Sequence, residues 1–279
     1  MNFNGCFMLK RGKVFAIGLI IFLIANPGFA QEKNDLELKE ETNPSNVTLN
    51  LGADLVSRYV WRGQDFGASA AIQPSLSLDA FGFSLGAWGS YGFTRYTYWI
   101  DDTTSIENNY SEVDLFLSYN YKYFTLLLTD YYAPLPLDTF PGANYFNWKN
   151  ATTWHTLELT LILDGPEKFP IQFIAATLLY GADKGKDTSG VYGAGTTNNF
   201  STYFELSYQF DVKGFGITPF IGGIPFGSSW YGPKAGINNI GVNVRKEIPV
   251  SKKFSLPIQS NLIFNPLSKK VFLVFILSI

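Results

Sequence analysis

The sequence predicts an all-β chain closed into a transmembrane, antiparallel up-and-down β-barrel of about twelve strands, within a range of about ten to fourteen. Three observations carry this reading. Short segments of alternating apolar and polar residues recur from residue 47 onward, and the connections between them alternate short and long. No stretch after residue 30 has the roughly 18 uncharged apolar residues in a row that a membrane helix needs. Aromatic residues make up 17% of the chain and charged ones 16%, against roughly 25% charged in a soluble domain, so much of the surface is not built for water. With apolar helices excluded, a closed barrel is the structure that spans a bilayer, because each backbone N–H and C=O must find its partner inside the protein.

Residues 1–30 read as a cleaved signal peptide. Lys10, Arg11 and Lys13 precede the apolar run Val14 to Ile24, and Gly28-Phe29-Ala30 supplies a small-residue cut site. Cys6, the sole cysteine, lies ahead of that run, so the mature chain is expected to have no disulfide, thiol chemistry or cysteine metal site. Loss of the leader moves the net charge from −2 to −5, which argues against a nucleic-acid partner. Residues 31–46 form an acidic periplasmic tail with Glu32, Asp35, Glu37, Glu40 and Glu41.

Residues 47–279 are assigned to the barrel. In the first strand, 47–62, Val47, Leu49, Leu51, Ala53, Leu55, Tyr59 and Trp61 share one face and Thr48, Asn50, Asp54, Arg58 and Arg62 the other. The same alternation recurs at 112–123 and 202–212. Weaker forms appear at 72–81, 83–94, 124–132, 153–163, 171–181, 215–223, 237–248, 254–263 and 271–279. Short turns are expected near Phe81-Gly82, Lys122-Tyr123, Asp164 to Pro170, Lys213-Gly214 and Ser251 to Lys253. Long loops are expected at 63–71, 95–111, 133–152, 182–201, 224–236 and 264–270.

Aromatics gather at the strand ends as girdles: Phe81, Phe83, Tyr121, Tyr123, Phe210, Phe215 and Phe254 near the turns, with Tyr59, Trp61, Tyr91, Phe93, Trp154 and Tyr180 near the loops. Pro219 inside a strand calls for a bulge or break, since it cannot donate to the ladder. Segments 171–181 and 271–279 are apolar on both faces. Either their lumen side packs against other protein, or the register differs.

Strand parity puts Asp54, Asp79, Glu112, Asp114, Glu158, Glu205 and Glu247 on the lumen side, with Arg58, Arg62 and Arg245. Seven acidic positions facing three basic ones favour cations if the pore is open, whereas pairing across the lumen would seal it. An arginine of this set on the lipid side at mid-depth would cost roughly 2–4 kcal/mol, which supports the inward assignment. The single histidine, His155, falls on the lipid face beside Trp154; as a catalytic base it would need a nucleophile and an orienting carboxylate within hydrogen-bond reach, a geometry that sequence does not show, and no catalytic residue is assigned. Asp101-Asp102 with Glu107 do not follow calcium-loop spacing, and Gly193-Ala194-Gly195 and Gly222-Gly223 do not open helices. Neither metal nor cofactor is expected.

Within residues 52–90, GADLVSRYVWRGQDFG, AAIQPSLSLD and GFSLGAWGSYGF resemble the opening of the TorF family of bacterial outer-membrane porins. The matching positions are Ser57, Arg58, Tyr59, Arg62, Gly63, Ala71, Gln73, Gly86, Trp88 and Ser90, and Ser57-Arg58-Tyr59 departs from the family's Ser-Asp-Tyr. The resemblance implies an outer-membrane barrel proposed to pass small solutes, without catalytic residues. Barrels of this kind also end in an aromatic residue read by the barrel-assembly machinery, where this chain has Ile279.

The expected function is a porin-like channel in the bacterial cell outer membrane for passive diffusion of small hydrophilic solutes, mildly cation-preferring. Its expected partners are outer-membrane lipid, those solutes and the assembly machinery. A closed barrel whose external loops bind a ligand or partner is the alternative. A lipid-modifying barrel enzyme using His155 is the third.

Overall fold

A computed structural model describes residues 47–99, 105–134, 144–191, 193–251 and 254–279; the leader, the acidic tail and Asp101-Asp102 lie outside the described residues. The chain runs β1 (Val47–Val56), β2 (Tyr59–Trp61), β3 (Gln64–Phe66), β4 (Ala71–Ala80), β5 (Phe83–Trp99), β6 (Ser105–Tyr121), β7 (Phe124–Tyr132), β8 (His155–Asp164), β9 (Ile171–Gly181), β10 (Thr202–Tyr208), β11 (Phe210–Val212), β12 (Phe215–Ile224), β13 (Gly236–Ser251), β14 (Phe254–Asn265) and β15 (Lys270–Ser278). Together they make a closed antiparallel barrel of 12 wall strands plus one separate hairpin, β2–β3. The segments β10 and β11 are one wall strand interrupted at Gln209, and β15 returns to β1 with Asp54 opposite Ser278. Ala53 and Ile279 exchange backbone hydrogen bonds of 2.9 Å at this seam.

Tight turns set the register. Phe81-Gly82 (φ 54° and 86°) and Lys213-Gly214 (φ 51° and 75°) are two-residue connections with both central residues left-handed, the hairpin geometry that follows the strands' own twist. The long loop expected at 95–111 is instead mostly a β-ribbon, for β5 and β6 pair as far as Trp99 opposite Ser105. Its sequence, FTRYTYW, is rich in the aromatic and β-branched residues that favour an extended chain.

Pro219 leaves its own pairing with β13 regular. The break falls in the neighbouring strand, where the β10–β11 interruption lies opposite it: Ser207 pairs with Phe220 and Phe210 with Ile217. Gln209 N donates to Pro170 O at 3.0 Å and so keeps its place in the pairing with β9, which confines the interruption to the β12 side, where Pro219 has no N–H to give.

The outer face of the wall is apolar and exposed, with Leu49, Leu51, Leu85, Leu117, Leu126, Leu262 and Leu273 among its side chains. At the short-turn end Phe81, Phe83, Tyr121, Tyr123, Phe210, Phe215 and Phe254 are all exposed, and Tyr91 and Phe93 are exposed near the opposite end. Tyr59 and Trp61 are a correction to that pattern, since both are buried inside the barrel on β2. The inner faces of β9 and β15, apolar where a wet lumen calls for polar residues, are covered. Ile174 and Leu178 join the core containing Tyr59 and Trp61, and Phe272, Val274 and Ile276 pack with Val60.

Candidate functional site

The long-loop half of the lumen is filled by a hairpin folded inward from the end of β1. Ser57 is the last residue tied to the wall, its N–H donating to Phe275 O and its hydroxyl accepting from Phe275 N, both at 2.9 Å. Beyond it, β2 and β3 pair around Arg62-Gly63, whose φ values of 48° and 76° give the same turn geometry as the short wall turns. A Cβ on Gly63 would lie 2.0 Å from Asn238 O, so the tip approaches the wall as only glycine permits. Wall amides take the tip's carbonyls: Asn238 Nδ2 donates to Arg62 O at 3.1 Å and Asn265 Nδ2 to Gly63 O at 2.9 Å.

Packing explains why the hairpin turns inward. A barrel of this strand number is wider than the small barrels that wall side chains fill by themselves. Trp61, 2% exposed, meets Tyr131 at 5.5 Å and Tyr231 at 5.6 Å between ring centroids, and Tyr59 meets Trp88 at 5.4 Å. Tyr231 and Trp230 come from the connection between β12 and β13, which therefore also contributes to the filling. Each buried aromatic of this kind supplies roughly 150–250 Å² of contact.

One ion pair pins the tip. Arg62 donates to both oxygens of Glu158, Nη1 to Oε2 at 2.5 Å and Nη2 to Oε1 at 2.8 Å. Glu158 also accepts from Tyr131 OH at 3.0 Å and Thr160 Oγ1 at 2.8 Å, while Arg62 donates to Tyr231 OH at 2.5 Å. The guanidinium lies 4.4 Å from the Trp61 ring and 4.7 Å from that of Tyr203. Both partners are buried, so removing one strands the other charge at a cost of about 3–5 kcal/mol.

Asp54, Asp79, Glu112, Asp114, Glu158, Glu205, Arg245 and Glu247 lie on the inner face of the wall. Arg58 and Arg62 do not belong to a wall strand, because the chain leaves the wall after Ser57. Arg58 is near the long-loop mouth, paired with Asp65 at 3.2 Å, and Arg62 is the hairpin tip. Glu112 accepts from Tyr110 OH at 2.9 Å, and Glu205 accepts from Tyr203 OH and from Asn239 Nδ2 at 2.9 Å. Asp114 is fully buried next to Glu112. Asp79 accepts from Asn50 at 2.7 Å, and Arg245 donates to Glu247 at 2.6 Å. Arg62 thus brings a cation to Glu158 and within electrostatic reach of Glu205.

The short-turn half of the lumen has a different lining. Ser77, Ser84, Ser118, Thr125, Ser207, Thr218, Asn243, Gln259 and Asn261 are small or amide-bearing wall residues, and Asn243 Nδ2 donates to Gln259 Oε1 at 3.1 Å and to Asn261 Oδ1.

His155 forms a separate cluster on the outer face. Nδ1 contacts Asp130 Oδ2 at 2.9 Å, Nε2 contacts Tyr145 O at 2.6 Å, and the ring is stacked between Trp148 (3.9 Å) and Tyr132 (4.5 Å). Both ring nitrogens thus face protein oxygens, which fixes the imidazole between Asp130 and the 144–150 segment. In the connection after β9, Asp183 accepts from Ser201 N at 2.8 Å and Oγ at 2.5 Å, yet burial holds its pKa above the ordinary carboxylate value. Burial lowers the pKa of neighbouring Lys184, which donates to Asn150 and Asn198 at 2.8 and 2.9 Å.

Among the described residues, no group of three or more His, Cys, Asp or Glu side chains is placed to hold a metal ion. Asn238 and Asn265, which hold the tip, escaped the reading by charge. Two signals pointed toward the plug: the doubly apolar faces of β9 and β15, and Val56 and Val60, apolar on the parity assigned to the lumen. Compared with known proteins, the chain matches no family model and no curated sequence.

Proposed function

We propose that this protein is an outer-membrane barrel that offers small hydrophilic solutes a narrow, cation-preferring path, closed at rest by the β2–β3 hairpin. The apolar, exposed outer face supports the membrane reading: Leu51 is 67% exposed, and a ring of aromatics follows the short-turn end. The likeness of residues 52–90 to TorF-family porins supports it from another side, and its residues fall partly on the plug and partly on the wall strands beside it. Tyr59 packs on Trp88, Gln73 donates to Ser90 Oγ at 3.2 Å, and Arg62-Gly63 form the tip.

The observation that carries the gated reading is the Arg62–Glu158 pair: a buried, doubly hydrogen-bonded ion pair joins the tip of the hairpin to the opposite wall, beside the amide bonds from Asn238 and Asn265. Cation preference follows from Glu112, Asp114 and Glu205, which remain when the arginine withdraws. Planar-bilayer recording tests this. Wild-type protein should give rare, small, cation-selective steps, and a variant with residues 58–67 replaced by a short Gly-Ser linker should be open most of the time. Silence from both proteins across voltage and salt contradicts the channel. The dense aromatic packing also favours a permanently closed barrel whose loops bind a partner; steps only in the plug-less variant would select that reading.

A further inference from the structure

Residues 144–150 fold down the outside of the barrel instead of over its mouth. Register establishes the face: Asp130 pairs with Leu115 and Leu157, and Tyr132 with Val113 and His155, so Asp130, Tyr132 and His155 share the outer side with exposed Leu115 and Val113. The loop covers this set. Tyr145 O takes His155 Nε2, Trp148 stacks on the imidazole, Tyr180 OH donates to Trp148 O, and Asn150 Oδ1 accepts from Gly181 N at 3.2 Å. The segment is therefore pinned across the outer ends of β7, β8 and β9.

Its free side is apolar with a cationic edge. Phe146 is 83% exposed, Trp148 is half-exposed and Lys149 is exposed beside them. Aromatic rings next to an ammonium group suit the level where acyl chains give way to phosphates, with apolar bodies in lipid and polar tips in water.

We infer that residues 144–150 are an interfacial anchor that docks on the outer-leaflet lipid surface, Phe146 and Trp148 seated at the headgroup–acyl boundary and Lys149 toward lipid phosphate. This rests on the membrane reading above, with which the exposed side of the loop is continuous. His155 acts as a positioning residue, since it joins the loop to Asp130 and Tyr132. The cluster also has a local use, because the loop shields a buried polar pair that would otherwise face hydrocarbon.

Cys6 is the sole cysteine, so in a Cys6→Ser background each introduced cysteine is unique. Phe146→Cys, Leu51→Cys on the wall and Glu167→Cys in a short turn would each be labelled with bimane. The labelled full chain is then placed in phosphatidylcholine vesicles carrying nitroxides at headgroup, shallow or deep acyl positions. At Phe146→Cys the expected result is strong quenching by headgroup and shallow nitroxides, several-fold above that at Glu167→Cys. Adding His155→Ala should lower it toward the Glu167→Cys level without changing Leu51→Cys. Quenching at Leu51→Cys with none at Phe146→Cys overturns the anchor alone. Absence of quenching at both overturns the membrane reading beneath it, and equal quenching with and without His155 overturns the pin.

Discussion

The two halves of the lumen solve one problem in different ways. Near the short turns the inner wall has its own small polar side chains, Ser77, Ser84, Ser118, Thr125 and the Asn243–Gln259–Asn261 ladder. Near the long loops the chain brings in extra backbone, and Trp61, Tyr59 and Val60 are buried there together with Tyr231 from another loop. In the proposed gated reading, the difference puts control in the hairpin. A lining made of wall residues moves only if the barrel moves, whereas a hairpin joined at its ends and latched at its tip has another place to be.

Substitutions in the two halves should therefore have unequal effects. The largest is expected from Arg62→Ala, which strands Glu158 and should cost about 3–5 kcal/mol in urea unfolding from vesicles, with a raised open probability in bilayers. Adding Glu158→Ala should recover much of the stability but none of the closure, a non-additivity that a double-mutant cycle would measure. Trp61→Ala should cost about 3 kcal/mol by leaving an unfilled space in the plug, with more frequent openings. Gly63→Ala should cost roughly 1–3 kcal/mol, since its φ of 76° and the 2.0 Å approach to Asn238 O both oppose a side chain. Smallest is Asn243→Ala in the polar half, about 1 kcal/mol for a hydrogen-bond donor, with open probability unchanged. Equal gating effects of Asn243→Ala and Trp61→Ala would erase the contrast between the halves.

Much of the wall could be read from residues alone. Alternation in Val47 to Leu55 and in Val113 to Tyr121 reports which face a side chain takes, and Phe81-Gly82 and Lys213-Gly214 have left-handed residues at the two-residue turns. The hairpin was illegible for a related reason. Tyr59 and Trp61 keep the parity of Leu55, and alternation cannot say that the strand has left the wall, because a ribbon inside a barrel alternates as the wall does. What betrayed it was a mismatch of partners: Phe272, Val274 and Ile276 are apolar toward a space expected to be wet. Pro219 taught a similar lesson, since its consequence appears at Gln209 on the neighbouring strand. For His155, parity gave the outer face, but only tertiary structure brings Asp130 and Trp148 to its ring.

Amide hydrogen exchange on the membrane-reconstituted wild-type protein tests the filled lumen most directly, since it needs no substitution. Amides of Tyr59–Phe66 should exchange nearly as slowly as those of β8, the strand that holds Glu158. Exchange in that hairpin at the rate of a free loop, with β8 still protected, would contradict a plug seated between Trp88 and Tyr231.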